Sequence, residues 1–228
     1  MNTLGRRLAA EALGTALLLA TVIGSGIMGE TLSAGNVALA LLANTLATGA
    51  ALVALITTLG PISGAHFNPV VTLMAALQRQ FSWRDVPAYL AVQCLGAFAG
   101  VAIAHLMFEH PLFSASTHVR TGPSQLFSEF VATFGLIAVI IGSVRHRASH
   151  VAFAVGGYIT AAYWFTSSTS FANPAVTLAR AASNTFAGIR PVDVPGFIVA
   201  QLLGAAAAWG LFRWLLPNPA PSDTSTTH

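Results

Sequence analysis

The chain has 228 residues, of which 55% are hydrophobic and only 7% are charged. Water-soluble globular proteins carry about 25% charged residues, so this composition excludes an ordinary soluble domain and predicts that a lipid bilayer is the solvent. The net charge is +3, but all ten basic residues are arginines dispersed between apolar stretches, so we expect no nucleic-acid partner.

Six apolar stretches are long enough to cross about 30 Å of hydrocarbon as helices. The first resembles a signal peptide, but Glu11 interrupts it and the apolar run continues past residue 23, which favours an uncleaved spanning helix. Two further apolar stretches, roughly 68–78 and 173–185, are too short to span, and each follows a segment of small and helix-breaking residues. We predict spanning helices at about 6–28, 36–59, 83–108, 123–144, 150–167 and 193–216.

The two halves of the chain form a sequence repeat. Glu11 to Thr15 matches Glu129 to Thr133, and Val86-Pro87 matches Val194-Pro195. Each half contains three spanning helices, an odd number, so the second half enters from the opposite face and the repeats are inverted. We therefore predict one channel domain over residues 1–216, with repeats at about 6–108 and 123–216, and a disordered tail at 217–228.

Both short apolar segments begin with Asn-Pro, at Asn68-Pro69 and Asn173-Pro174. Proline suits the first helical turn because its missing N–H would have no partner there, and asparagine is a good N-cap. In an inverted repeat the positive ends of these two half-helices meet near the membrane midplane. Each asparagine can then offer an amide N–H to a passing oxygen, while the positive potential repels cations, including protons.

Two such motifs in an inverted repeat resemble the major intrinsic protein family, the aquaporins and aquaglyceroporins. Residues 64–70, Gly-Ala-His-Phe-Asn-Pro-Val, resemble its first motif, which usually ends in alanine, and Asn173-Pro174-Ala175 resembles the second. The resemblance implies an all-α fold of six transmembrane helices and two re-entrant half-helices, assembled as a homotetramer with one pore per subunit. It also implies that the two pore motifs are Asn68-Pro69-Val70 and Asn173-Pro174-Ala175. Pore carbonyls are expected at Gly64, Ala65, His66, Phe67, Thr169, Ser170, Phe171 and Ala172.

Glu11 and Glu129 are the only acidic residues in the middle of the predicted spans. A carboxylate inside a membrane is costly and needs hydrogen-bond partners. We predict that each carboxylate anchors the re-entrant loop of its own half, and the family resemblance implies the same role.

A four-residue selectivity filter is implied by the resemblance on the outer side of the pore. Counting from the two asparagines assigns it to Thr48, Ala161, Ser170 and Val176. Val176 occupies the position where the family usually has arginine, and the other three residues are small or modest, so we expect a wide, uncharged filter. Arg180, one turn after Val176, is either a displaced vestibule charge or a rim residue that is solvated or paired with Glu30, Glu109 or Asp193.

A passive channel for small uncharged polyhydroxylated solutes follows from these features. The wide filter resembles bacterial aquaglyceroporins associated with arsenic resistance, which implies glycerol-like solutes, arsenite or related metalloid acids, and some water. A water-selective channel, a broad water and urea channel, and a coupled secondary transporter are the alternatives. No enzyme activity, catalytic residue, cofactor or metal site is expected.

The arginines also predict the orientation. With a cytoplasmic N-terminus, seven arginines fall on the inner side and three on the outer side, as the positive-inside rule requires. We expect an integral protein of a bacterial inner (plasma) membrane, with both termini cytoplasmic and with membrane lipid and small neutral solutes as partners.

Overall fold

A computed structural model describes residues 3–216, and within that range the protein contains helices and loops but no strand. The first half holds α1, α2, α3 and α4, and the second half holds α5, α6, α7 and α8 in the same order of long and short helices. Their bounds are α1 Leu4–Leu32, α2 Val37–Ser63, α3 Pro69–Leu77, α4 Val86–Met107, α5 Pro123–Arg147, α6 Val151–Phe165, α7 Pro174–Arg180 and α8 Val194–Leu215.

Five helical stretches of the described chain are long and apolar enough to cross a membrane. One of them, Pro123–Phe165, has 43 residues and consists of α5 and α6, joined by a short 3-10 turn at Ala148–His150. The six predicted spanning helices are therefore present. Helices α3 and α7 have only nine and seven residues, too short to span, so the predicted six-helix fold with two half-helices is confirmed.

Glycines allow the long helices to approach closely at equivalent places in each half. Helix α4 packs on α1, and α8 packs on α5. A Cβ atom added at Gly96 would lie 2.4 Å from the Ala12 carbonyl oxygen, and one added at Gly204 would lie 2.3 Å from that of Phe130. No larger side chain fits at either crossing, so small residues set the helix spacing.

The first re-entrant loop is shorter than the sequence indicates. We expected irregular backbone from Gly60 onward, but α2 continues through Pro61 and ends at Ser63. An internal proline removes one helical hydrogen bond without always ending the helix. The chain instead leaves the helix at Gly64, whose φ of 92° is left-handed. The predicted tail at 217–228 lies outside the described residues.

Candidate conduction pathway

The two Asn-Pro motifs meet through reciprocal hydrogen bonds. Asn68 Nδ2 donates to the Ala172 carbonyl at 2.8 Å, and Asn173 Nδ2 donates to the Phe67 carbonyl at 2.8 Å. Each side-chain oxygen caps its own half-helix, because Asn68 Oδ1 accepts from Val70 N and Asn173 Oδ1 accepts from Ala175 N, both at 3.0 Å. An amide nitrogen has two N–H groups, so each asparagine keeps one that this cross-contact does not use.

The carboxylate of Glu11 lies against the first re-entrant loop and is fully buried. Oε1 accepts from Ser63 Oγ at 2.7 Å and from His66 N at 2.9 Å. Oε2 accepts from Phe67 N at 2.8 Å and from Gln93 Nε2 at 2.9 Å. Four donors thus surround a buried carboxylate, the condition under which a membrane interior tolerates one.

Glu129 makes the equivalent contacts in the second half. It accepts from Phe171 N at 2.8 Å, from Ala172 N at 2.9 Å and from Gln201 Nε2 at 2.7 Å. Non-glycine residues with positive φ lie in both loops, among them Phe67 at 50° and Ala172 at 48°. Such conformations cost about 1–3 kcal/mol each, and the carboxylate hydrogen bonds hold the backbone in them.

A cavity of about 170 Å³ runs along both loops and past both asparagines. The loops form a polar side. The facing wall is apolar and comes from α1, α2, α5 and α6. Its members include Leu18, Leu52, Leu136, Ile140, Val155 and Ile159. Apart from the hydroxyls of Thr48 and Tyr163 at one end, the arrangement offers hydrogen-bonding groups along one side only.

Of the pore carbonyl residues, all but one line this cavity. Thr169 does not line it, and its Oγ1 accepts from Arg120 Nη1 at 3.5 Å. The motif residues Asn68 and Asn173 also line the cavity. Pro69, Val70, Pro174 and Ala175 are buried behind it as the first turns of α3 and α7. The cavity residues from the two loops are Gly64, Ala65, His66, Phe67, Ser170, Phe171 and Ala172.

Of the four residues predicted for the filter, one does not line the cavity. Thr48, Ser170 and Val176 line the cavity, but Ala161 is exposed on the outer surface of α6. Tyr163 lines the cavity instead, and its hydroxyl donates to Thr48 Oγ1 at 3.5 Å. Residues 161 and 163 lie about 200° apart around a helix, so both cannot face the pore. Counting back from Asn173 assumed a loop length that this chain does not have.

Arg180 lies at the same end of the cavity as Val176 and is only 2% exposed. Its Cζ atom lies 3.3 Å from the centre of the Phe171 ring, and its Nε donates to the Ala187 carbonyl. Among residues 3–216 it forms no ion pair, so the solvated and acid-paired alternatives are wrong. Guanidinium has five N–H donors, and the four on its terminal nitrogens have no protein partner within the described range.

Arg120 is a second buried guanidinium near Phe171, and it is not among the residues predicted from the sequence. Its Nε donates to the Gly188 carbonyl at 2.8 Å and its Nη1 to the Ser168 carbonyl at 3.2 Å. Its Cζ lies 5.0 Å from the Phe171 ring centre. Burial lowers the pKa of Arg120 to about 10, so it is still charged at neutral pH. No local motif marks Arg120, because its contacts come from residues about 50–70 positions away.

The sequence matches the family described as major intrinsic protein over residues 2–150 and 143–227. It is 59% identical over 224 residues to aquaglyceroporin AqpS of Rhizobium meliloti strain 1021, covering 98% of this chain and 96% of that protein. It is 34% identical over 232 residues to aquaporin NIP2-2 of Zea mays, covering 98% of this chain and 76% of that protein.

The fold has a solved counterpart. The X-ray structure of the aquaglyceroporin from Plasmodium falciparum superposes with a TM-score of 0.73 at 20% identity, over 92% of this chain and 96% of that one. That likeness concerns the fold, whereas the sequence matches decide the family. The helices are those of an integral membrane protein. The chain belongs to the major intrinsic protein family, and it is a membrane channel rather than an enzyme.

Proposed function

We propose that this channel passively conducts small uncharged polyhydroxylated solutes, namely glycerol-like molecules and arsenite or related metalloid acids, together with some water. The two-sided cavity is the observation that carries the proposal. A polyol can place its hydroxyls against the loop groups and Asn68 or Asn173 while its carbon side contacts the apolar wall. Uncharged arsenite is a compact body with hydroxyls around it, so the same groups suit it.

The proposed filter consists of Thr48, Tyr163, Ser170 and Val176, with Arg180 beside it. The Ser170 hydroxyl is buried and has no hydrogen-bond partner among the described residues. A passing hydroxyl can satisfy it. This filter is narrower and more polar than the sequence predicted, because it contains a tyrosine ring and a neighbouring guanidinium. It still lacks bulk at Thr48 and Ser170.

The relatives support the solute class. One is named an aquaglyceroporin and covers nearly the whole chain. Coupled transport would need a group that binds the driving ion, and the buried carboxylates Glu11 and Glu129 are already engaged by four and three donors. We also propose a homotetramer with one pore per subunit, in a bacterial inner membrane with both termini cytoplasmic; crosslinking in native membranes tests the assembly.

Stopped-flow measurements on proteoliposomes test the filter. We would compare water, glycerol and urea by volume change and arsenite by uptake, for the wild type, Val176→Arg and Val176→Leu. We expect non-saturating glycerol and arsenite flux in the wild type. The arginine variant should reduce both by about tenfold or more, because a second guanidinium narrows and charges the constriction.

Val176→Leu is the uncharged control, and it should keep more glycerol flux than the arginine variant. Unchanged glycerol and arsenite flux in Val176→Arg would mean that Val176 does not lie at the constriction. Fast water flux without larger solutes in the wild type would instead support the water-selective alternative. Saturable flux that requires an ion gradient would support the transporter.

A further inference from the structure

One charged side chain of the loop before α5 reaches both loops that flank α7. Arg120 is buried, and its backbone N–H donates to Asp193 Oδ2 at 2.9 Å. Its guanidinium donates from Nη1 to the Ser168 carbonyl at 3.2 Å and from Nε to the Gly188 carbonyl at 2.8 Å. Arg120 therefore connects the re-entrant loop that precedes α7 with the loop that follows α7.

The sequence repeat shows which contact this arginine replaces. Tyr89 and Phe197 occupy equivalent positions in α4 and α8, the last helix of each half. The Tyr89 hydroxyl donates to the Ser63 carbonyl at 2.9 Å, whereas Phe197 is fully buried and has no hydroxyl. Buried carbonyls are nearly always hydrogen-bonded. Arg120 supplies to the Ser168 carbonyl the donor that Phe197 lacks.

Both groups that hold Arg180 lie next to contacts of Arg120. Arg180 Nε donates to the carbonyl of Ala187, which precedes Gly188 in the chain. Its Cζ lies 3.3 Å from the centre of the Phe171 ring, and Arg120 Cζ lies 5.0 Å from the same centre. The chain is tightly packed at Gly188, where an added Cβ would lie 2.4 Å from a backbone carbonyl oxygen. A change at Arg120 therefore reaches both groups.

The two guanidinium groups differ in their access to the pore. Arg180 and Phe171 line the conduction cavity, but Arg120 does not. Neither arginine has an ion-pair partner within residues 3–216, so the two like charges repel each other. This repulsion favours movement of the Arg180 side chain away from the ring, and the Ala187 carbonyl and the Phe171 ring must be held in place to resist it.

We propose that Arg120 is a positioning residue for the filter. It fixes the Phe171 ring and the Ala187 carbonyl, and these two groups hold the Arg180 guanidinium at the cavity. The proposal rests on the proposed place of Arg180 beside the filter. It gives Arg120 a part in excluding cations although Arg120 does not line the path. A direct effect of its own charge on the passing cation is the competing explanation.

Cation leak in proteoliposomes, read with a pH dye, tests the positioning role in a double-mutant cycle. We would compare wild type, Arg120→Gln, Arg180→Gln and the double variant, with glycerol flux in the same vesicles as the measure of open channel. Arg120→Gln should raise the leak by about fivefold, less than the roughly tenfold expected for Arg180→Gln. The double variant should leak within about twofold of Arg180→Gln alone, because Arg120 acts through that side chain.

Arg120→Lys separates position from charge. Lysine keeps the charge but lacks the planar fork that donates to two carbonyls and packs on a ring, so it should leak nearly as much as Arg120→Gln. A wild-type leak in Arg120→Lys would mean that Arg120 acts by its own charge. A double variant that leaks by the product of the two single effects would mean the same. Arg84→Gln, at an exposed arginine outside the cavity, should leave the leak unchanged.

Phe197→Tyr separates position from loss of stability. In the Arg120→Gln background it returns a hydroxyl to the Ser168 carbonyl, as Tyr89 provides in the first half, but gives no donor to Gly188. The melting temperature should recover while the leak stays raised. A leak that returns to the wild-type value would overturn the proposal, because the loop anchor alone would then suffice.

The same measurements distinguish failure of this proposal from failure of the proposed filter. An unchanged leak in Arg120→Gln, together with a raised leak in Arg180→Gln, would contradict the positioning role alone. An unchanged leak in Arg180→Gln would contradict the place of Arg180 beside the filter, on which the positioning role rests.

Discussion

The two re-entrant loops share one anchoring scheme but differ in what surrounds it. In each, a buried glutamate and a glutamine from the last helix of the half hold the loop and the adjoining half-helix. The carbonyl of Ser63 accepts from the Tyr89 hydroxyl at 2.9 Å, whereas the carbonyl of the equivalent Ser168 accepts from Arg120 at 3.2 Å. Where the first loop has His66, the second has Phe171, against which two guanidinium groups lie.

This difference separates the contacts that the fold requires from the residues that we propose select the solute. The repeated contacts build two capped half-helices with their asparagines in contact. In the first half Arg7 is paired with Asp85 at 3.0 Å, so its charge is offset. In the second half neither Arg120 nor Arg180 has an ion-pair partner among the described residues. Positive charge is therefore concentrated around Phe171, at the end of the cavity that Val176 and Arg180 line.

Glu11→Gln and Glu129→Gln should have the largest effects on stability. Each variant places an amide against donors that require an acceptor, and an unsatisfied buried group costs about 1–3 kcal/mol. We expect a loss of about 3 kcal/mol for Glu129→Gln and about 1 kcal/mol more for Glu11→Gln, which has one more donor. Unfolding in detergent measures both, with the exposed Glu30→Gln as control. Equal stability of Glu11→Gln and the control would contradict the anchoring role.

Asp193→Asn should lower the free energy of unfolding less than the glutamate variants do. Asp85→Asn, its counterpart in the first half, should lower it less again. Asp193 accepts from the Arg120 amide at 2.9 Å and from Arg190 Nη2 at 2.9 Å, and its side chain is 5% exposed. The Asp85 side chain is 22% exposed. We expect losses of about 2 kcal/mol and about 0.5 kcal/mol in the unfolding free energy. The reverse order would mean that Asp193 does not hold the loop before α5.

A weak pH dependence should come from His118 in the loop before α5. Partial burial, followed by the charges of Arg120 and Arg180, lowers the pKa of His118 below its ordinary 6.5. Between those two values the unfolded chain binds the proton and the folded chain does not, so stability falls as the pH drops below about 6.5. The effect should be small because the side chain is exposed. His118→Gln should show a smaller loss of melting temperature between pH 7.5 and 5.5, and an unchanged loss would contradict this origin.

Because the two halves are a recognisable sequence repeat, most of the fold can be predicted from the sequence. Asn-Pro at the start of each short helix predicts both N-caps, and the buried carboxylates predict loop contacts. The position of Tyr163 at the cavity cannot be predicted from these motifs, because it depends on the length of the loop between α6 and α7. One clue was available, since Val155, Ile159 and Tyr163 are four residues apart on one face of α6, while Ala161 is not on it.

Long-range contacts explain what else the sequence left open. Arg120 donates hydrogen bonds to the carbonyls of Ser168 and Gly188, and only folding brings these residues together. The sequence allowed two positions for the Arg180 side chain, one in the vestibule and one at the rim. The contacts with the Ala187 carbonyl and the Phe171 ring decide between them, because they hold the side chain against the cavity. The pattern of one helix cannot predict these contacts.

Cation leak through Arg180→Gln is the most direct test of the claim that Arg180 supplies the charge missing at Val176. A unit charge about 6 Å from the path contributes roughly 0.7–2.8 kcal/mol for effective dielectric constants of 80 to 20, so its removal should raise proton or sodium leak by about tenfold. Proteoliposomes would report that leak with a pH dye, and glycerol flux in the same preparation should stay within twofold of the wild type. Arg84→Gln, at an exposed arginine that does not line the cavity, should leave the leak unchanged. An unchanged leak in Arg180→Gln, or an equal loss of glycerol flux, would contradict the account.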